Sequence, residues 1–161
     1  MIDQGDIKKL KARVDQFQRK NALTRAVGEV ARNDVLLNFR RSAGPDGRAW
    51  KPLAPITLAM RRNNSKKPLS DTRRLRNSIT AKATEDEAVV GTNVKYAKVQ
   101  HFGATIRPVR APALAYGGNG FFVKSQKSVI PARPFMGIGD RMVRKINRAI
   151  EAWAKGAGSA G

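Results

Sequence analysis

The sequence predicts an α+β fold, an antiparallel β-sheet packed with N-terminal helices and a C-terminal amphipathic helix. Three observations carry this. Apolar residues recur at helical spacing through 1–41, alternation of period two begins at 79, and a second helical stripe follows Asp140. Ile7, Leu10, Val14 and Phe17 step by three and four, with Lys8, Lys9, Lys11, Arg13 and Lys20 between them. Asp6 is placed to cap that helix. Leu23, Val27, Val30 and Leu37 form a further stripe, interrupted by Asp34, which directs part of it towards a partner subunit or water. Gly44-Pro45-Asp46-Gly47 ends the helical region.

Residues 42–78 are aperiodic and rich in Pro, Asn, Ser and Arg, a long loop arm with room for one short helix at 56–61. Ile79, Ala81 and Ala83 alternate with Thr80, Lys82 and Thr84. Glu85-Asp86-Glu87 then turns into Ala88-Val89-Val90-Gly91, the pattern of a β-hairpin. Residues 94–102 fit a short helix or a strand, and periodicity does not separate the two. Ile106, Val109 and Leu114, then a Gly117-Gly118-Asn119-Gly120 tip, then Phe121-Phe122-Val123 predict a second strand pair. Pro131-Ala132-Arg133-Pro134 breaks the chain before a last helix at 140–154, capped by Asp140, with Met142, Val143, Ile146, Ile150 and Trp153 on one face. Residues 155–161 read as a flexible tail. The whole is expected to be one domain, 1–154, whose 79–130 section is β-rich.

At 161 residues and 17.7 kDa the chain can bury a core without staples. Its charge is exceptional: 32 Lys and Arg against 12 Asp and Glu, a net of +20. Such a surface calls for polyanions or acidic proteins as partners. There is no cysteine and one histidine, so disulfide frameworks, thiolate catalysis and Cys- or His-based metal sites are excluded. The first residues carry acids and no apolar core, against a secretory signal, and no apolar run approaches the ~20 residues that span a bilayer. A cytosolic protein without enzymatic activity, cofactor or metal is expected.

Arg61, Arg62, Lys66, Lys67, Arg73, Arg74 and Arg76 crowd the arm with only Asp71 among them. They fit either a mobile phosphate-facing surface, favoured by counterion release, or a solvated loop. Between Glu87 and Asp140 there is no acid. Aromatics are not interleaved with these bases, so base stacking is unsupported and DNA contact is expected to be independent of sequence. His101 has no serine or acid at a triad spacing and reads as structural. The acidic triplet reads as a solvated turn, and the glycine tip lacks the spacing of a phosphate loop. Trp50, beside Pro52 and Leu53, anchors its loop to the core or docks on a neighbour.

Four blocks then stand in series. They are Gly44-Pro45-Asp46-Gly47-Arg48-Ala49-Trp50-Lys51-Pro52-Leu53, then Pro68 to Ile79 with Leu69-Ser70-Asp71-Thr72, then Val90-Gly91-Thr92 through Tyr96-Ala97 to Phe102-Gly103, and finally Ile130-Pro131-Ala132-Arg133-Pro134-Phe135-Met136-Gly137. In this order the chain resembles the phage virion-morphogenesis family, tail-completion proteins of tailed and Mu-like phages. One departure is Arg73, where the family usually has a small residue, often Gly. The resemblance implies a structural virion protein that completes the tail and joins it to the head connector as a ring, with six subunits suggested. Its implied partners are other copies of itself, the tail-tube protein, connector proteins and the genomic DNA threading the lumen, with no membrane. Its implied location is the head-proximal end of the tail, after assembly in the host cytoplasm. Two readings from other classes stand beside it. A sequence-independent nucleic-acid-binding protein would explain the charge but not the Trp and Pro-Ala-Arg-Pro blocks; a small hydrolase or nuclease is disfavoured by the sparse acids. The segment 130–135 is expected to be rigid and extended, with Phe135 in the core and Arg133 pairing a carboxylate or capping carbonyls.

Overall fold

A computed structural model describes residues 4–61, 65–118 and 121–158. The elements run α1 (Gln4–Arg41), α2 (Pro55–Ala59), α3 (Arg74–Asn77), β1 (Thr80–Ala83), β2 (Ala88–Gly91), α4 (Ala97–Phe102), β3 (Ala104–Ile106), β4 (Leu114–Gly118), β5 (Phe121–Ser125), β6 (Ser128–Ile130) and α5 (Asp140–Gly158). The fold is α+β, and all strand pairing is antiparallel. Among the described residues it is organised as three two-stranded ladders, β1–β2, β3–β6 and β4–β5. The expected first two helices form one continuous helix, so Asp6 lies within α1 and does not cap it. Asp140 is likewise the first helical residue of α5, where a carboxylate favours the positive end of the helix dipole. α5 continues to Gly158, beyond the expected end at 154; residues 159–161 of the expected tail lie outside the described residues.

Where the sequence suggests one domain, the chain forms two compact units interleaved along its length. One comprises 1–34, 80–91 and 141–161, the other 35–79 and 92–140.

In the first unit, α1 packs on the β1–β2 hairpin through small residues. A Cβ added at Gly28 would lie 3.3 Å from the Ala88 Cβ and 3.6 Å from that of Ala81, so a larger side chain there would push helix and hairpin apart. Asp34, expected to turn part of its apolar stripe towards a partner subunit or water, is itself buried. It is 1% exposed and accepts hydrogen bonds from Arg141 Nε at 2.8 Å, Arg141 Nη2 at 2.9 Å and Lys145 Nζ at 2.9 Å. Arg141 and Lys145 are four residues apart on α5 and therefore share a face.

The second unit has an aromatic core. The Phe39 ring lies 5.7 Å from Trp50, edge-on at 82°, and 5.3 Å from Phe135. Phe39 and Phe135 are each 1% exposed, and Val35, Ala43, Leu75, Ile79, Val94 and Ala97 are buried with them. The segment after β6, residues 131–139, forms neither helix nor strand, and its two prolines within four residues each fix φ and withhold a backbone N–H. Gly103, at φ 77°, allows α4 to turn directly into β3. A Cβ there would sit 2.8 Å from the Ala132 nitrogen and the Ile130 oxygen, so no other residue fits.

Candidate functional site

Within the second unit, an open cleft of about 810 Å³ gathers residues from all four sequence blocks. Lys51, Pro52 and Leu53 come from the first block, Leu69 and Asp71 to Leu75 from the second, Tyr96 and Gln100 from the third, and Ile130, Pro131 and Arg133 from the fourth. Arg133, in the fourth block, fastens the first and third blocks to its own. It is 5% exposed, its Nε donates to the Lys51 carbonyl and its Nη2 to the Pro52 carbonyl, both at 3.0 Å, and its backbone N–H donates to the Gln100 carbonyl at 3.0 Å. The expected capping of carbonyls is thus what Arg133 does. The loop carrying Trp50 is held from the same segment, since Trp50 Nε1 donates to the Pro134 carbonyl at 2.8 Å. Trp50, 6% exposed, is a core anchor.

Arg61 is also buried, at 8% exposure, and donates through Nη1 to the carbonyls of Ser65 at 2.7 Å and Lys67 at 2.8 Å. Its guanidinium is held by the arm's own carbonyls instead of facing solvent as the sequence suggested. Burial, and secondarily the charge of Arg61, push the Arg133 guanidinium below its ordinary value. Two cations therefore repel each other at the floor of the cleft. Lys51, Arg73 and Arg74 add three exposed ones, against the single acid Asp71. Asp71 Oδ1 is buried without a hydrogen-bond partner among the described residues.

The loop between α2 and α3 is shaped by two left-handed residues, Leu69 at φ 56° and Arg73 at φ 58°. Left-handed backbone is where glycine costs least, which gives the departure at Arg73 its physical meaning: an arginine accepts strain that a glycine would not.

The other sequence candidates are more dispersed. Lys67, Arg73 and Arg76 border a second depression of about 590 Å³ with Arg40. Lys66 is exposed, and Arg62 lies outside the described residues. Phe102 is 70% exposed and Pro134 is exposed; neither packs in the core. His101 stacks edge-on against Phe135 at 5.0 Å, and burial lowers its pKa. It is a structural histidine. Among the described residues no group of three or more His, Asp or Glu could hold a metal ion, and no helix is long and apolar enough to cross a membrane.

The sequence missed the Asp34 cluster. The available signal was an acid set in an apolar stripe, which implies a buried charge with cations on another element.

The family model of phage virion morphogenesis proteins matches residues 6–155. The chain belongs to the phage virion morphogenesis family. It is 33% identical over 114 residues to the Mu-like prophage FluMu G protein 2 of Haemophilus influenzae, covering 71% of this chain and 63% of that protein. It is 26% identical over 152 residues to the putative capsid assembly protein G of Escherichia phage Mu, covering 90% of this chain and 88% of the relative. No solved structure matches. The match to the family runs through both compact units, so the basic cleft and the Asp34 cluster both lie within family sequence.

Proposed function

We propose that the protein is a structural component of the virion that completes the tail and joins it to the head connector, as a ring around the DNA path. The observation that carries this reading is the convergence of four sequence blocks, spread over some ninety residues of chain, on one open basic cleft lacking a catalytic set. A cleft built from backbone carbonyls, guanidiniums and prolines is suited to receiving a protein segment rather than to turning over a small molecule. The naming of the Mu relative as a capsid assembly protein supports a role in particle assembly. The mature particle supplies the partners: further copies of the chain, the tail-tube protein, the connector, and DNA contacted without reading its sequence. Deleting the gene tests this. Heads filled with DNA and finished tail tubes are expected to accumulate unjoined, whereas normal joined particles would contradict the proposal.

The net charge of +20 favours a second reading, a sequence-independent nucleic-acid-binding protein. It requires duplex binding that falls steeply with salt and joined particles in the deletion strain.

A further inference from the structure

The charge of this chain is unevenly divided. The unit comprising 35–79 and 92–140 carries 18 Lys and Arg against three acids, while the other carries 14 against nine. Three of those nine are consecutive, Glu85-Asp86-Glu87, at the tip of the β1–β2 hairpin. The tip is a built turn. Thr84 N–H donates to the Glu87 carbonyl at 2.8 Å, Glu87 N–H donates to Thr84 Oγ1 at 3.3 Å, and Thr24 on α1 donates to the Thr84 carbonyl. Asp86 and Glu87 are exposed.

We infer that the acidic tip of one copy docks in the basic cleft of the next, a head-to-tail contact between two different patches of the same chain. Asp86 and Glu87 would meet Lys51, Arg73 and Arg74 at the mouth of the cleft, above the Arg61 and Arg133 guanidiniums. Those two buried cations repel each other, and an incoming carboxylate relieves that repulsion. A contact between non-identical patches repeats from copy to copy and closes when its rotation permits. The occupant is a second copy because the chain itself carries three consecutive acids on one hydrogen-bonded turn, two of them exposed, while the described lining of the cleft holds five cations and one acid. The inference rests on the ring reading above and specifies the contact that builds the ring.

The absence of cysteine permits a direct test. Asp86→Cys and Arg74→Cys proteins, mixed and treated with a short bismaleimide, are expected to give a crosslinked dimer that neither gives alone. A crosslink that forms only within a chain carrying both cysteines would overturn the inference. Charge exchange supplies the second measurement. Asp86→Lys/Glu87→Lys and Arg73→Glu/Arg74→Glu proteins should each self-associate at least about tenfold more weakly than wild type, because like charges then face each other. Mixing the two variants should restore association, each tip now facing a cleft of opposite sign. Rings formed by wild type and unchanged by either exchange would overturn this contact and leave the ring reading standing. A wild-type protein that self-associates neither free nor in particles would overturn both.

Discussion

Trp50 and Pro134, 84 residues apart in sequence, are joined by a 2.8 Å hydrogen bond from the indole N–H to the proline carbonyl. This bond and the two from Arg133 to the Lys51 and Pro52 carbonyls splice the first and last sequence blocks into one wall of the cleft. The fourth block positions the first, and the cleft exists because of that bracing.

Trp50→Phe keeps a ring near Phe39 but removes the donor. It is expected to cost about 0.5–1.5 kcal/mol, the net worth of a typical hydrogen bond whose acceptor sits on an exposed residue. Equilibrium denaturation checks this; unchanged stability would mean that water replaces the indole.

Phe135 packs against both Phe39 and His101 at 1% exposure. Phe135→Ala is expected to cost about 3–5 kcal/mol through lost burial and the cavity left behind. A melting temperature unaffected by the substitution would show that 130–135 is surface decoration.

Acid should destabilise the protein in two separable stages. Burial lowers the pKa of His101, so its contribution is full above the unfolded value of about 6.5 and is lost as pH falls through the lower folded value. For Asp34, burial alone would raise the pKa, but hydrogen bonds from Arg141 and Lys145 and their charges outweigh it and hold the carboxyl below its usual range. Its contribution is present above about pH 3.9 and fades at more acidic pH. Stability measured against pH should lose its first stage in His101→Phe and its second in Asp34→Asn. Removing the carboxylate should also cost about 1.5–3 kcal/mol near neutrality, the range for hydrogen bonds to a charged group, because water can reach the Arg141 and Lys145 charges left behind.

Arg73 is exposed and left-handed at φ 58°. Arg73→Gly relieves the Cβ strain of that conformation, at the cost of a more flexible unfolded chain. A net gain of about 0.5–1 kcal/mol is expected by denaturant titration. A loss of stability would mean that the arginine side chain supports the turn.

Much of the fold is legible in the sequence, for identifiable reasons. α5 shows because its apolar residues lie on a single stripe, and the β1–β2 hairpin shows because alternation flanks a polar turn. The α4 assignment is not legible: Tyr96 to Phe102 offers too few residues for a period, and the helix ends only because Gly103 adopts a conformation that tertiary contact with Ala132 demands. The division into three ladders among the described residues is not legible either, because the β3–β6 register pairs Ala104 with Ile130 across the intervening β4–β5 hairpin, a separation no local pattern encodes. Of the site, the four blocks are visible as words, but their convergence depends on Arg133, whose carbonyl partners leave no mark in composition. The burial of Arg61 is hidden in the same way, since a basic loop reads as solvated until its carbonyls fold back on the guanidinium.

The most direct measurement is imaging of purified virions carrying a small epitope tag at the C-terminus of this chain, decorated with a tag-specific antibody fragment. Placement in the neck predicts density confined to the head–tail junction, arranged as a closed ring coaxial with the tail. Label spread over the capsid, label along the tail shaft, or particles lacking the protein altogether would contradict it.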